Sequence, residues 1–427
     1  MFVRSLFIVS LLSAGVAPAA EQIVVPPKAR YWMSATTTSG LGMSGAMSQA
    51  DMMKMAMGGG GAGKSLVLDL GSTLAPTGGG AKADALIPPA MNMGPKLPLT
   101  TPVTQPSQRA PRQDDEDFER PKGKLLLFWG CSEKARPGQP LVIDFATMAS
   151  GQMPANLFGG ERVRIARAPG TGNSKTYGGW PQGDRNARAV PANASLIGTQ
   201  RVEGNYTPPI SFDLAQDWLA PLKLSGGANA AGGQTLGWNT VPAATGYAAT
   251  MMGGGRSAGG GDSNTVVFWS SSDVQTFISG LTDYLAPAEV ARLIGTKMVM
   301  PATQTQCAIP VEATRAAEGG IVTLVAHGPE INHVSPPRPA DPKVSWVQDW
   351  TARIRYRATA GAILSDNTLM TNMGEMGGGN RGDAAPNSNC PPPASATAGD
   401  ALGGSFGGAI GSMFGGKKKK VDPNCPQ

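Results

Sequence analysis

The chain has 427 residues, among them 58 Gly and 36 Pro, and 36 basic residues against 30 acidic ones give a net charge of +6. Lys417, Lys418, Lys419 and Lys420 sit in one run near the end, so no broad basic face is left for a phosphate backbone, and neither nucleic acid nor a nucleotide is an expected partner. With 41% hydrophobic and 15% charged residues the chain can build a core. The excess of Gly and Pro reads as ordered, mostly β units joined by low-complexity stretches.

Residues 1–20, MFVRSLFIVSLLSAGVAPAA, combine Arg4, an apolar run over 6–12 and the small-residue signal Ala17-Pro18-Ala19. That pattern is a secretory signal peptide, its apolar core being too short to cross a bilayer. The expected location is therefore the periplasm or the cell exterior, with association to an outer membrane as an option.

Residues 28–39 are rich in aromatic and β-branched types, and 65–72 alternate Leu66, Leu68 and Leu70, which predicts two strands of a hairpin over 21–72. A Met/Gly-rich insertion separates them. Two strands alone are marginal in water, so the hairpin should dock on a larger sheet. Residues 73–123 have the composition of a Pro-rich, disordered linker, including the solvated acidic run Asp114, Asp115, Glu116, Asp117. The apolar run 125–129, then 141–145, 161–166, 196–205 and 210–214, read as short strands of a first β-rich domain over 124–230. A second β-sandwich is expected over 231–365, with strands at 264–269, 297–300, 308–311, 321–326 and 344–358. One helix interrupts it at 286–294, where Pro287 opens, Glu289 lies early, Arg292 late and Gly295 ends the run. Over 350–357, Trp350, Ala352, Ile354 and Tyr356 alternate with Arg353, Arg355 and Arg357, predicting a half-exposed strand with an arginine ladder on its wet face. Residues 366–427 read as a disordered Gly-rich tail. In it, Gly403, Gly407, Gly411 and Gly415 are spaced by four like a glycine zipper, a segment able to touch a membrane.

The segment Leu236-Gly237-Trp238, followed by a turn at Pro242 and then Gly246-Tyr247, resembles the B–C strand pair of fibronectin type III repeats. The resemblance implies a β-sandwich and no ligand. The LLLFWGC, RPGQPLVIDF and GNYTPPISFDL segments and the lysine-ended Gly-rich tail resemble a group of secreted proteins of alphaproteobacteria with no established activity to carry over.

Several motifs match catalytic patterns in form only. GGGGAGKS at 58–65 fits a phosphate loop, but a Met-rich stretch precedes it and a strand follows, so no helix dipole would face a phosphate. Gly40, Gly42 and Gly45, and the GxSxG of Gly403 to Gly407, sit in glycine-rich stretches without strand–turn–helix context. Arg381-Gly382-Asp383 is a coincidence of composition. His327 and His333 bracket Glu330. On a regular strand both imidazoles would share a face, a metal site short of a third strong ligand, and the plainer reading is a loop after a strand. The four cysteines, Cys131, Cys307, Cys390 and Cys425, should form disulfides in an oxidising compartment. Of three connectivities, Cys131–Cys307 and Cys390–Cys425 is preferred. Met52, Met53, Met55 and Met57, with a second cluster at Met370, Met373 and Met376, offer soft thioether donors of the kind that select Cu(I). They equally suit an adaptable apolar contact surface.

These features point to an exported, non-catalytic structural or binding protein of the bacterial envelope, without a cofactor, whose partner is an envelope protein or a membrane surface. The alternatives are periplasmic Cu(I) binding through Met52, Met53, Met55 and Met57 and, behind it, an envelope hydrolase of unknown substrate.

Overall fold

The computed structural model describes residues 22–40, 63–102, 123–145, 161–182, 188–256, 264–275, 280–365 and 368–371. In chain order the strands begin with β1 (Val24–Val25), β2 (Ala29–Gly40), β3 (Gly63–Ser72), β4 (Ala83–Leu86), β5 (Lys96–Pro98), β6 (Gly123–Trp129), β7 (Leu141–Asp144), β8 (Thr176–Trp180), β9 (Gly198–Gly204) and β10 (Ile210–Leu214). They continue with β11 (Leu224–Ala228), β12 (Gln234–Trp238), β13 (Gly246–Arg256), β14 (Asn264–Ser270), β15 (Met300–Pro301), β16 (Gln306–Ile309), β17 (Gly319–Ser335), β18 (Trp346–Val347), β19 (Trp350–Ser365) and β20 (Thr368–Met370). Two α-helices lie wholly within the described residues, α1 (Pro287–Gly295) and α2 (Val311–Ala316). The protein is mostly β, as its composition leads one to expect. Among the described residues no helix is long and apolar enough to cross a membrane.

Eleven strands form one large sheet in the order β7-β6-β14-β13-β17-β19-β2-β3-β8, with β15 beside β13 and β20 beside β19. A four-stranded sheet, β10-β9-β4-β5, and a three-stranded one, β11-β12-β16, cover one face. We call this the inner face. It is made by one parity of each strand: Tyr31, Met33 and Ala35 on β2, Leu66, Leu68 and Leu70 on β3, Ile354, Tyr356 and Ala358 on β19, all buried. Tyr31 meets Phe212 of β10 at 6.2 Å between ring centroids, and Trp238 of β12 meets Tyr247 of β13 at 5.6 Å. The aromatic pairs thus tie each small sheet to the large one. The opposite, outer face is covered at the β13–β14 end by α1, whose Val290 and Leu293 pack with Ala248, Leu281 and Leu285. Glu289 ties α1 to the neighbouring segment by accepting the Arg164 backbone N–H at 2.8 Å, and pairs along the helix with Arg292.

The 21–72 hairpin docks on the large sheet, with β2 and β3 antiparallel from Ala29↔Ser72 to Thr38↔Gly63. Three regions depart from expectation. Residues 83–98, read as linker, contain β4, a 3₁₀ turn (Pro89–Met91) and β5, whose Ala85, Met91 and Leu97 are buried. Prolines cap and separate these short strands rather than preventing them, and β5 is the edge strand of its sheet, where Pro98 is tolerated. Residues 161–166, expected as a strand, carry no regular secondary structure. They lie along α1, anchored by the Glu289 contact. Residues 297–299, expected as a strand, form the turn that leaves α1, with Lys297 at φ 60°. Strand order also crosses the boundary expected near residue 230. β6 pairs with β14 in parallel, and β2, β3 and β8 continue the same sheet as β13, β17 and β19. Within the expected tail, β20 still pairs with β19. The rest of that tail, including the glycine-zipper-like segment at 401–416, lies outside the described residues.

Cys131, just past β6, and Cys307, on β16, are bonded, with S–S 2.07 Å across a sequence separation of 176. The link fastens the three-stranded sheet to the large one. Replacing both with Ser should lower the unfolding free energy by about 2–5 kcal/mol, mainly by freeing the unfolded chain. Urea titration under non-reducing conditions checks this, and an unchanged midpoint would mean the bond contributes nothing.

Candidate functional site

The strongest concentration of polar chemistry lies on the outer face, where β2 and β19 run parallel and in register. Arg353 stands opposite Trp32, Arg355 opposite Ser34 and Arg357 opposite Thr36. Alternation along β19 turns all three arginines outward while Ile354 and Tyr356 enter the core. The guanidinium carbons of Arg353 and Arg355 both lie 4.6 Å from the Trp32 ring centroid, and those of Arg355 and Arg357 lie 4.5 and 4.3 Å from that of Tyr284. The result is a stacked row, Arg353–Trp32–Arg355–Tyr284–Arg357. Tyr284 reaches it from the segment leading into α1.

Hydroxyls hold the row in place. Arg355 donates from Nε and Nη2 to Ser34 Oγ at 3.0 and 2.7 Å. Arg357 donates from Nε to Thr36 Oγ1 at 3.1 Å and from Nη1 to the Thr282 carbonyl at 2.7 Å. Thr36 Oγ1 is also hydrogen-bonded to the Tyr284 hydroxyl. Trp32, Ser34 and Thr36 are buried beneath the arginines.

Charge on this face is unbalanced. Glu330 of β17 lies 3.6 Å from Arg353 Nε. Asp69 of β3 sits beside Trp32 in the register but accepts the Tyr177 hydroxyl at 2.7 Å rather than an arginine. Burial raises the Asp69 pKa, with Tyr177 and Arg355 opposing that shift, and burial lowers the Arg355 pKa. Among the described residues no carboxylate pairs with Arg355 or Arg357. Half-buried guanidiniums without a carboxylate partner carry a desolvation cost that an arriving anion would offset.

β17 carries both histidines, and they face opposite ways. A bulge between His327 and Glu330 shifts the register, so His327 pairs with Arg357 on the outer face and His333 with Ala352 on the inner. Gly328 permits the bulge, because a Cβ there would stand 2.6 Å from the Tyr356 carbonyl oxygen. The expectation that both imidazoles share a face, as they would on a regular strand, is overturned, as is a loop at this position. His333 stacks on Phe212 at 4.9 Å. His327 is 1% exposed, and among the described residues neither of its ring nitrogens has a hydrogen-bond partner of good geometry, the Leu281 backbone being the polar neighbour that acts on it. Burial and the Arg357 charge bring its pKa down to about 4, against a smaller opposing effect of the Leu281 backbone.

Among the described residues no group of three His, Cys, Asp or Glu side chains could hold a metal ion. Met52, Met53, Met55 and Met57, together with Cys390 and Cys425, lie outside the described residues. Of the glycine-rich motif at 58–65, Lys64 lies in β3, donates to the Ala194 carbonyl at 2.7 Å and covers the Trp218 ring at 5.0 Å. A groove of about 530 Å³ beside β4 and β9 is lined by Ile87, Pro89, Ile197 and other small or apolar groups, with Arg201 at its margin. It offers little to orient a polar ligand.

The three arginines were legible in the sequence by their alternation. Trp32, Ser34, Thr36, Asp69 and Tyr284 were not, because each reaches the row through a long-range pairing. No family model, curated protein or solved structure matches this chain.

The neutral His327 makes stability depend on pH in a defined direction. Its folded pKa lies below the unfolded value near 6.5, so the unfolded chain takes up a proton first, and stability falls as pH drops from about 6.5 towards about 4. The loss should approach roughly 3 kcal/mol. Urea midpoints measured across that range should decline for the native protein and decline less for His327→Leu. Equal slopes would assign the effect to other groups.

Proposed function

We propose that this chain is an exported, non-catalytic binding protein of the bacterial envelope, and that the outer face of the large sheet is its binding surface for an envelope protein or a membrane surface. The observation that carries the reading is the row of three stacked arginines, which exceeds the two carboxylates beside it and, among the described residues, leaves Arg355 and Arg357 without acidic partners. Arginine recognises anions through a rigid planar fork and keeps its protons while doing so, which suits binding rather than turnover. Export is supported by the pattern of residues 1–20. A Cys131–Cys307 disulfide accords with an oxidising compartment such as the periplasm. Mass spectrometry of protein recovered from the envelope fraction should find an N-terminus after about residue 20, following the Ala17-Pro18-Ala19 signal. Intact protein confined to the cytosol would overturn the reading.

A second reading, Cu(I) binding in the periplasm, is favoured by one observation. The Met-rich insertion leaves the sheet at Gly40, and the segment carrying Met373 and Met376 leaves it at Thr371. A Cβ on Gly40 would stand 3.3 Å from the Thr371 carbonyl oxygen. The described ends of the two methionine-bearing segments, Gly40 and Thr371, therefore lie side by side. Under this reading Cu(I) protects Met52, Met53, Met55 and Met57 from peroxide, as measured by peptide mass spectrometry. Equal oxidation with and without Cu(I) would dismiss it.

A further inference from the structure

We propose that the row of Arg353, Arg355 and Arg357 is a binding site for phosphate-class oxyanions, the phosphate monoester or diester being held in the plane of the guanidiniums. This rests on the reading that the outer face binds a ligand, and it names that ligand's chemistry.

The argument follows from which surfaces of each guanidinium are already used. Trp32 and Tyr284 take the flat faces, at 4.3 to 4.6 Å. Stacking of this kind leaves the N–H edge free for an acceptor in the guanidinium plane, the geometry that suits the paired oxygens of a phosphate. Part of that edge is committed. Ser34 takes Nε and Nη2 of Arg355, and Thr36 and Thr282 take Nε and Nη1 of Arg357. Nη1 of Arg355 and Nη2 of Arg357 have no partner among the described residues. Arg353, half exposed, approaches Glu330 only through Nε, at 3.6 Å, and keeps its terminal nitrogens. Arginines two residues apart on one face of a strand stand about 6.7 Å apart at the backbone. With a ring between each neighbouring pair of guanidiniums, the row offers a series of separate in-plane edges, to which one oxyanion or a chain of linked phosphates would bind.

The stack and the hydroxyls also fix the arginines before any ligand arrives, so little side-chain freedom remains to be lost on binding. A carboxylate ligand would meet the same edges. A phosphate brings more acceptor oxygens and more charge to a face where Glu330 and Asp69 leave the arginines in excess.

The test uses the full mature chain and two phosphate sources. Inorganic phosphate and pyrophosphate are titrated by calorimetry. Vesicles of phosphatidylglycerol are compared with vesicles of phosphatidylcholine by co-sedimentation. Binding to the free anions alone assigns a soluble phosphate compound, and sedimentation with phosphatidylglycerol alone assigns a lipid headgroup; either supports the site. Arg355→Gln with Arg357→Gln should weaken the binding at least tenfold, and Arg357→Lys should weaken it partially, since charge is kept and the fork is lost. If the double variant does not fold, the unaltered protein still decides the matter. Bound phosphate or phosphatidylglycerol should protect Arg353, Arg355 and Arg357 from phenylglyoxal, measured by peptide mass spectrometry. No binding to any probe, or binding with no protection of these arginines, overturns the inference. That outcome leaves export and envelope binding standing, whereas an uncleaved cytosolic protein that still binds phosphate would remove export and keep the site.

Discussion

The parallel, in-register pairing of β2 with β19 is the constraint on which the rest of the molecule depends. From Trp350↔Ala29 to Gly361↔Gly40 the two strands run side by side without a break. Because side chains alternate along both, this one register composes two surfaces at once. Tyr31, Met33 and Ala35 join Ile354, Tyr356 and Ala358 in the core, while Trp32, Ser34 and Thr36 meet Arg353, Arg355 and Arg357 on the other side. A slip of one residue in either strand would put arginines against the small sheets and aromatics into water, which no compensating contact could offset. The register is thus held from both faces, by apolar burial on one and by stacking on the other.

On the outer face the energetic logic is unusual for a sheet. Arginine half-removed from water would ordinarily find a carboxylate, and Arg292 does so with Glu289. Within the row on β19, Arg353 has Glu330 beside it, whereas for Arg355 and Arg357 the compensation comes from ring faces and hydroxyls. A cation over an aromatic ring contributes about 0.5–2 kcal/mol, more as water is excluded, and hydrogen bonds to a charged donor add about 1.5–3 kcal/mol each. These contacts neutralise no charge. They orient the guanidiniums and leave the positive charge of Arg355 and Arg357 without a carboxylate partner among the described residues.

Much of the local structure could be read from the chain. The alternation of Leu66, Leu68 and Leu70, the aromatic run around Trp32, the short strand at 210–214 and the helix opened by Pro287 all announce themselves through periodicity and capping, which are local properties. What stayed hidden is long-range. Nothing in the composition of 83–98 distinguishes β4 and β5 from an extended linker, since prolines punctuate both and only a neighbouring strand decides between them. The opposite facing of His327 and His333 depends on a bulge that Gly328 permits but does not announce. Assembly of the strands on either side of residue 230 into one sheet depends on β6 pairing with β14, a contact between segments more than a hundred residues apart. The arginines were visible as an alternation, and their aromatic partners were not, for the same reason.

The β2–β19 pairing also sets a timetable for how the molecule comes into being. β2 is among the first ordered segments to be made, yet one of its two long edges has no partner until a stretch more than three hundred residues later has been synthesised. Throughout that interval an aromatic-rich strand is left with unpaired backbone groups, the situation that invites pairing with other chains. A sheet closed by so distant a segment also forms slowly, because the entropy of closing the loop is lost before the contact rewards it. A molecule truncated before Trp350 would therefore keep that β2 edge open and lack the strand that completes its centre.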